Sequence, residues 1–230
     1  MDEFRVERYA DFGSGEPWVA RIMLGLPELV NAVPAFVATR EAFANEIGEV
    51  FYALSAAFNT LRELRTLVVE NAPASNIEKA YSNLYGHLWQ AHKSRFQTAM
   101  NALGVNIGFL FQKNADFEKV AAKLLAKRPE LADLVSSMRH DRAAFQVSLA
   151  DYRNWVAHRT KHIDPAVLAT FHSLDFAEQM FDNVWQAMER YVVLLVVVSI
   201  PAGLQVIEIP ESQRDPARPT RYGWSVPGLA

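Results

Sequence analysis

Residues 43–69 read FANEIGEVFYALSAAFNTLRELRTLVV, and the reading of this stretch decides the fold. Phe43, Ile47, Val50, Leu54, Phe58, Leu61, Leu64 and Val68 recur three or four residues apart. That spacing keeps one apolar stripe on one side of an α-helix and facing a core. The stripe ends at Glu70-Asn71-Ala72-Pro73, because a proline cannot continue a helix. Ser75 and Glu78 then form a capping-box pair, a good start signal for a second helix. Its stripe runs through Ile77, Tyr81, Leu84, Leu88, Phe96, Met100, Leu103, Ile107 and Leu110.

A shorter helix is predicted around Phe117–Leu125. Pro129 suits a first-turn position, and Leu131, Leu134, Met138, Phe145, Leu149, Tyr152 and Val156 carry the next stripe. Asp164, Pro165 and Ser173 open the last helical stretch, which places Phe176, Met180, Val184, Met188 and Val192 on one face. Such stripes bury one another in an all-α bundle of four to five long antiparallel helices. Glycine and proline cluster at the two ends and are sparse between Pro34 and Pro201. The expected organisation is an N-terminal extension (1–26), a helical bundle (27–203) and a C-terminal tail (204–230), extended or hairpin. In that tail Leu204–Ile209 alternates at period two and pairs with Thr220–Val226 if a hairpin forms.

Composition narrows the function. Of 230 residues, 50% are hydrophobic and 21% charged, which suits a folded core; the net charge of -3 argues against a general nucleic-acid coat. There is no cysteine, so disulfides, thiolate metal sites and a cysteine nucleophile are excluded. The N-terminal MDEFRVERYADF lacks the basic-then-apolar order of a signal peptide. The most apolar run, Val192–Ile200, is far shorter than the ~20 residues a bilayer requires and reads as bundle core, with a dimer surface as the second option. A cytoplasmic protein with no membrane partner is expected.

Between Tyr152 and Thr160 the chain reads RNWVAHR. Histidine moves protons near neutral pH, arginine holds a phosphate with a planar fork, and asparagine orients a neighbour or an attacking hydroxyl. Arg153, Asn154 and His158 therefore suffice for RNA cleavage without a metal, the ribose 2′-OH attacking its own phosphate. Five residues apart on a straight helix, Arg153 and His158 splay by ~140°. Either the helix distorts there, or two copies pool their residues about a two-fold axis.

RNWVAH resembles the R-N-x-x-x-H form of the motif that marks HEPN domains. The resemblance covers six positions; it implies an all-α bundle, a metal-independent endoribonuclease of toxin–antitoxin or defence systems, and a homodimer whose two motifs make one cleft. By that likeness Arg153 and His158 take the paired catalytic positions and Asn154 the polar position after the arginine. An RNA substrate and an antitoxin protein are the partners implied. Members controlled by nucleotide addition carry a tyrosine three residues after the histidine; here Lys161 stands in its place.

Charge along the chain agrees with a phosphate site. From Arg139 to His162 there are five basic residues (Arg139, Arg142, Arg153, Arg159, Lys161) against two acidic ones (Asp141, Asp151), in a chain whose net charge is -3. Arg142, Arg159, Lys161 and His162 are the candidate phosphate contacts; a buried ion pair is the other reading of Arg142, which falls on a core stripe. The whole segment HRTKH also fits a helix end that attracts cations through its free carbonyls. In the same spirit Trp155 reads as packing before stacking, and His92 as a hydrogen-bonded core histidine. His158, His162 and Asp164 have the spacing of metal ligands, yet no HExxH or further cluster accompanies them, so neither metal nor cofactor is expected. The rival function is a non-catalytic helical module that binds a protein partner through its surface.

Overall fold

The computed structural model describes residues 4–7, 40–102, 117–158, 164–199, 205–208, 210–213 and 220–225. The described body is all-α. Helix α1 is Arg40–Val69, α2 Ala74–Trp89 and α3 Phe96–Ala102. Helix α4 is Phe117–Lys127, α5 Ala132–Asp141 and α6 Val147–His158; α7 is Pro165–Phe171 and α8 Leu174–Ser199. Two π-helical segments join them: Gln90–Arg95 carries α2 into α3, and Arg142–Gln146 carries α5 into α6. A wider turn of this kind accommodates an extra residue and re-aims the side chains that follow it.

The turn after α1 explains why the stripe stops where it does. Asn71 has φ 50°, the left-handed conformation that asparagine tolerates better than most residues. The Ala72 amide donates to the Leu67 carbonyl (2.9 Å) and the Asn71 amide to that of Val68 (3.2 Å), so two orphan carbonyls are satisfied before Pro73. The expected capping box does not form. Helix α2 starts at Ala74 with Pro73 as its N-cap, and no side chain caps it. Proline pre-sets the backbone angle, and Ser75 and Glu78 lie inside the helix on its exposed side.

The expected last helical stretch divides in two. The Asp164 carboxylate accepts from the Ala166 amide (2.8 Å) and starts α7. Nine residues later the Ser173 hydroxyl accepts from the Phe176 amide (3.3 Å) and starts α8. His172 sits in the break. The core gathers Leu54, Phe58 and Leu61 of α1, Leu84 and Leu88 of α2, Leu134 and Met138 of α5, and Phe181, Val184 and Met188 of α8, all essentially inaccessible to solvent. Arg65 of α1 bridges to Glu178 of α8 at 2.7 Å on the rim of this core.

Three strands complete the described residues: β1 Phe4–Glu7, β2 Gln205–Glu208 and β3 Thr220–Ser225. They form an antiparallel sheet in the order β1-β3-β2, with Val206 opposite Trp224 and Phe4 opposite the same tryptophan on the other side. The helical reading of residues 103–116 lies outside the described residues. Among the described residues no helix is long and apolar enough to cross a membrane. Of the apolar run, the Leu194 side chain is described, and it packs against the core.

Candidate functional site

Helix α6 carries the R-N-x-x-x-H segment in its last turns and ends at His158. Its π-helical disturbance lies upstream, at Arg142–Gln146, so the backbone from Val147 to His158 is regular α-helix. A bend that would aim Arg153 and His158 at one point is therefore absent from this stretch. The two positions keep their ~140° separation around the helix.

Arg153 is exposed, and its Nη1 donates to the Asn154 Oδ1 at 3.2 Å. Its guanidinium lies 5.9 Å from the ring centroid of Trp89 on α2. The same indole receives Lys93, whose Nζ lies 5.0 Å from the centroid. Two cations thus gather about one indole, each drawn by its π electrons. Neither Trp89 nor Lys93 is marked by the sequence, because they come from a helix some 60 positions earlier and carry no motif. Of His158 the backbone alone is described; Arg159, Lys161 and His162 lie outside the described residues.

Arg142 does not join this group. It stands eleven residues before Arg153 along one nearly continuous helix, roughly 16 Å at the usual rise. Its guanidinium packs over Phe117 at 5.2 Å, and burial lowers its pKa. Arg139 holds Glu118 with both ends of its fork, at 2.6 and 2.8 Å. That hydrogen bond keeps the Glu118 carboxyl below its usual range. Within the basic stretch, Arg139 thus meets an acidic partner from α4, whereas Arg153 is exposed beside Asn154.

Asp141, counted along the chain as one of the two acids in the basic stretch, is a core residue. It is 5% exposed, and its Oδ2 accepts from the Tyr191 hydroxyl (2.7 Å) and from Arg190 Nη2 (2.5 Å). Gln146 donates to the same tyrosine oxygen at 3.1 Å. His92, from the other π-helical segment, packs its ring edgewise on Phe145 (5.3 Å) and against Tyr191 (6.2 Å). Complete burial depresses its pKa to about 3, so the ring is neutral at physiological pH. This network ties α5, α6 and α8 together behind the motif helix.

On the other flank of α6 a cleft of 740 Å³ opens between α2, α6 and the α7–α8 break. Trp155, Glu78, Ser82 and His172 are among its lining residues. The Tyr152 hydroxyl and His172 Nε2 share a hydrogen bond of 3.1 Å, and Ser82 hydrogen-bonds the same phenol. The His172 ring stacks on Tyr81 at 5.0 Å, and burial lowers its pKa. Trp155 packs against Tyr152 (5.7 Å) and His172 (6.4 Å), so it is a packing residue with one side on the cleft. The sequence marks Tyr152 only as core and His172 not at all, since their pairing is made by the turn that closes α7.

Among the described residues no group of three potential metal ligands occurs. No family model, no curated protein and no solved structure matches the chain.

Proposed function

We propose that the chain is a metal-independent endoribonuclease of HEPN type, acting as a homodimer in which Arg153, Asn154 and His158 of two copies line one cleft. The observation that carries this reading is the exposed Arg153, braced by Asn154 and sharing the Trp89 indole with Lys93. Two cations on an aromatic platform are a fitting seat for an RNA phosphate and the base beside it. The regular α6 backbone adds to it, because a straight helix leaves pooling by two copies as the route by which arginine and histidine reach one phosphate.

In the proposed reaction the ribose 2′-oxygen attacks the adjacent phosphorus while His158 of one copy accepts its proton. The P–O5′ bond breaks, and the departing O5′ takes a proton from the histidine of the other copy. Arg153 holds the non-bridging oxygens as charge grows on them, and Asn154 fixes the arginine. The products end in a 2′,3′-cyclic phosphate and a 5′-hydroxyl, and no water enters this step. A toxin held in check by an antitoxin protein is the setting we propose for such an activity.

The test is cleavage of RNA in the presence of a chelator. The expected result is undiminished cleavage with cyclic-phosphate ends, no cleavage of DNA, and loss of activity in His158→Ala with helical circular dichroism unchanged. DNA cleavage, or activity abolished by the chelator alone, would replace this reading with a metal-dependent nuclease. An inert wild-type chain would favour the non-catalytic interaction module.

A further inference from the structure

The cleft between α2, α6 and the α7–α8 break is not part of the Arg153 group and has features of a ligand site. Its volume, 740 Å³, falls in the range of small-molecule pockets and exceeds what a bare base would fill. One wall is aromatic: Trp155 and His172 meet nearly edge to face, and Tyr81 backs the histidine. The first turns of α2 also line the space, through the exposed Ser75, Glu78 and Lys79 and the half-buried Ser82. Ser75 and Glu78 are the pair whose sequence spacing suggests a cap, yet they cap nothing and line the cleft instead. The Glu78 carboxylate is exposed and lies near enough to Tyr152 and His172 to act on both electrostatically.

We infer that this cleft binds an unpaired guanine nucleotide, and that in the proposed ribonuclease it selects a guanine of the bound strand at a distance from the cut. This inference rests on the ribonuclease reading for its role, while the binding itself stands on the cleft. The chemistry runs as follows. A carboxylate offers two parallel acceptors, and the Watson–Crick edge of guanine offers two adjacent donors, N1–H and N2–H. Adenine presents one donor beside an acceptor, and cytosine likewise, so each leaves a carboxylate oxygen against a lone pair. The indole of Trp155 and the neutral ring of His172 supply faces for a base that has left its stack. Lys79, exposed beside Glu78, is placed for the phosphate. Arg153 and Trp155 stand two residues apart on α6, ~160° around the helix, so the cleft and Arg153 lie on different flanks, and a strand that meets both passes around the helix.

The test is calorimetric titration of the full chain with guanosine 5′-monophosphate, and with the adenosine and cytidine monophosphates in parallel. Saturable binding of the guanosine nucleotide is expected, with the other two weaker by at least about tenfold. Glu78→Gln should erase the preference, because an amide replaces one acceptor with a donor; Glu78 is exposed, so the variant folds. Equal affinity for adenosine and guanosine nucleotides, no binding of the guanosine nucleotide at millimolar concentration, or a Glu78→Gln chain that still prefers guanosine would each overturn the inference. Cleavage without guanosine binding would retire this cleft and keep the ribonuclease. Guanosine binding by a chain that never cleaves would keep the cleft as a nucleotide site and retire the ribonuclease.

Discussion

At Arg153 shape matters as well as charge. The guanidinium reaches Asn154 through one arm and lies on Trp89, which leaves its planar fork oriented before any phosphate arrives. Lysine keeps the charge and loses the fork, so Arg153→Lys should lower the cleavage rate by roughly a hundredfold. Equal rates for the two chains would mean that bulk charge suffices there. His92 makes a second prediction at this scale, one that concerns stability. Its folded-state pKa of about 3 lies below the ordinary 6.5. Between those values the unfolded chain binds a proton that the folded chain does not. Stability is therefore full above the unfolded value and falls as pH drops through the window, by at most roughly 1.4 kcal/mol per pH unit. His87 and His172, whose pKa values are also lowered by burial, add to the same slope. Urea denaturation between pH 7 and pH 4 should show this loss, and His92→Leu should flatten it. An unchanged slope in that variant would remove His92 as its source. The sequence places His92 on a core stripe correctly, but it does not show that Asp141, counted among the acids of the basic stretch, is buried against Arg190 and Tyr191.

The elements divide into those that local chemistry dictates and those that it does not. The end of α1 is of the first kind: an asparagine, then a proline two residues on, with the left-handed turn falling on the asparagine. Asn71→Val should cost roughly 1–2 kcal/mol, since a β-branched residue resists that conformation. Thermal unfolding measures it, and an unchanged melting temperature would show that the turn carries no strain. Asp164 before Pro165 is equally legible, and the cap forms. The π-helical segments are of the second kind. In Gln90–Arg95 and Arg142–Gln146 the stripe positions fall on His92 and Arg142, four residues after Leu88 and Met138, so the spacing reads as ordinary helix; the wider turns accompany the packing around His92, Asp141 and Tyr191. The capping-box reading of Ser75 and Glu78 failed because Pro73 already starts the helix, an effect of backbone geometry that outweighs a side-chain signal. The cleft was invisible for a related reason. Its residues come from three elements, and the turn at His172 brings them together.

For the whole molecule, the sequence made the helical body legible through its stripes, whereas β1 pairing with β3 joins the two chain ends in a way no local pattern reveals. The candidate site was legible as a motif on one helix, and its surroundings were not: Trp89 and Lys93 arrive from α2 and its π-helical extension. The central claim concerns two copies. Positions 153 and 158 lie ~140° apart around a regular helix, and in the proposed enzyme a phosphate meets the arginine of one copy and the histidine of the other. Two copies related by a two-fold axis offer both, and they double the cations at the axis. Activity should therefore belong to the dimer. The most direct measurement is the specific activity of the wild-type chain on RNA, in chelator, across a dilution series in which the dimer fraction is read by light scattering or analytical ultracentrifugation. The account predicts specific activity that falls in proportion to the dimer fraction and vanishes for the monomer. A chain that cleaves with undiminished specific activity as a monomer, or a dimer that cleaves no RNA at any concentration, would contradict it.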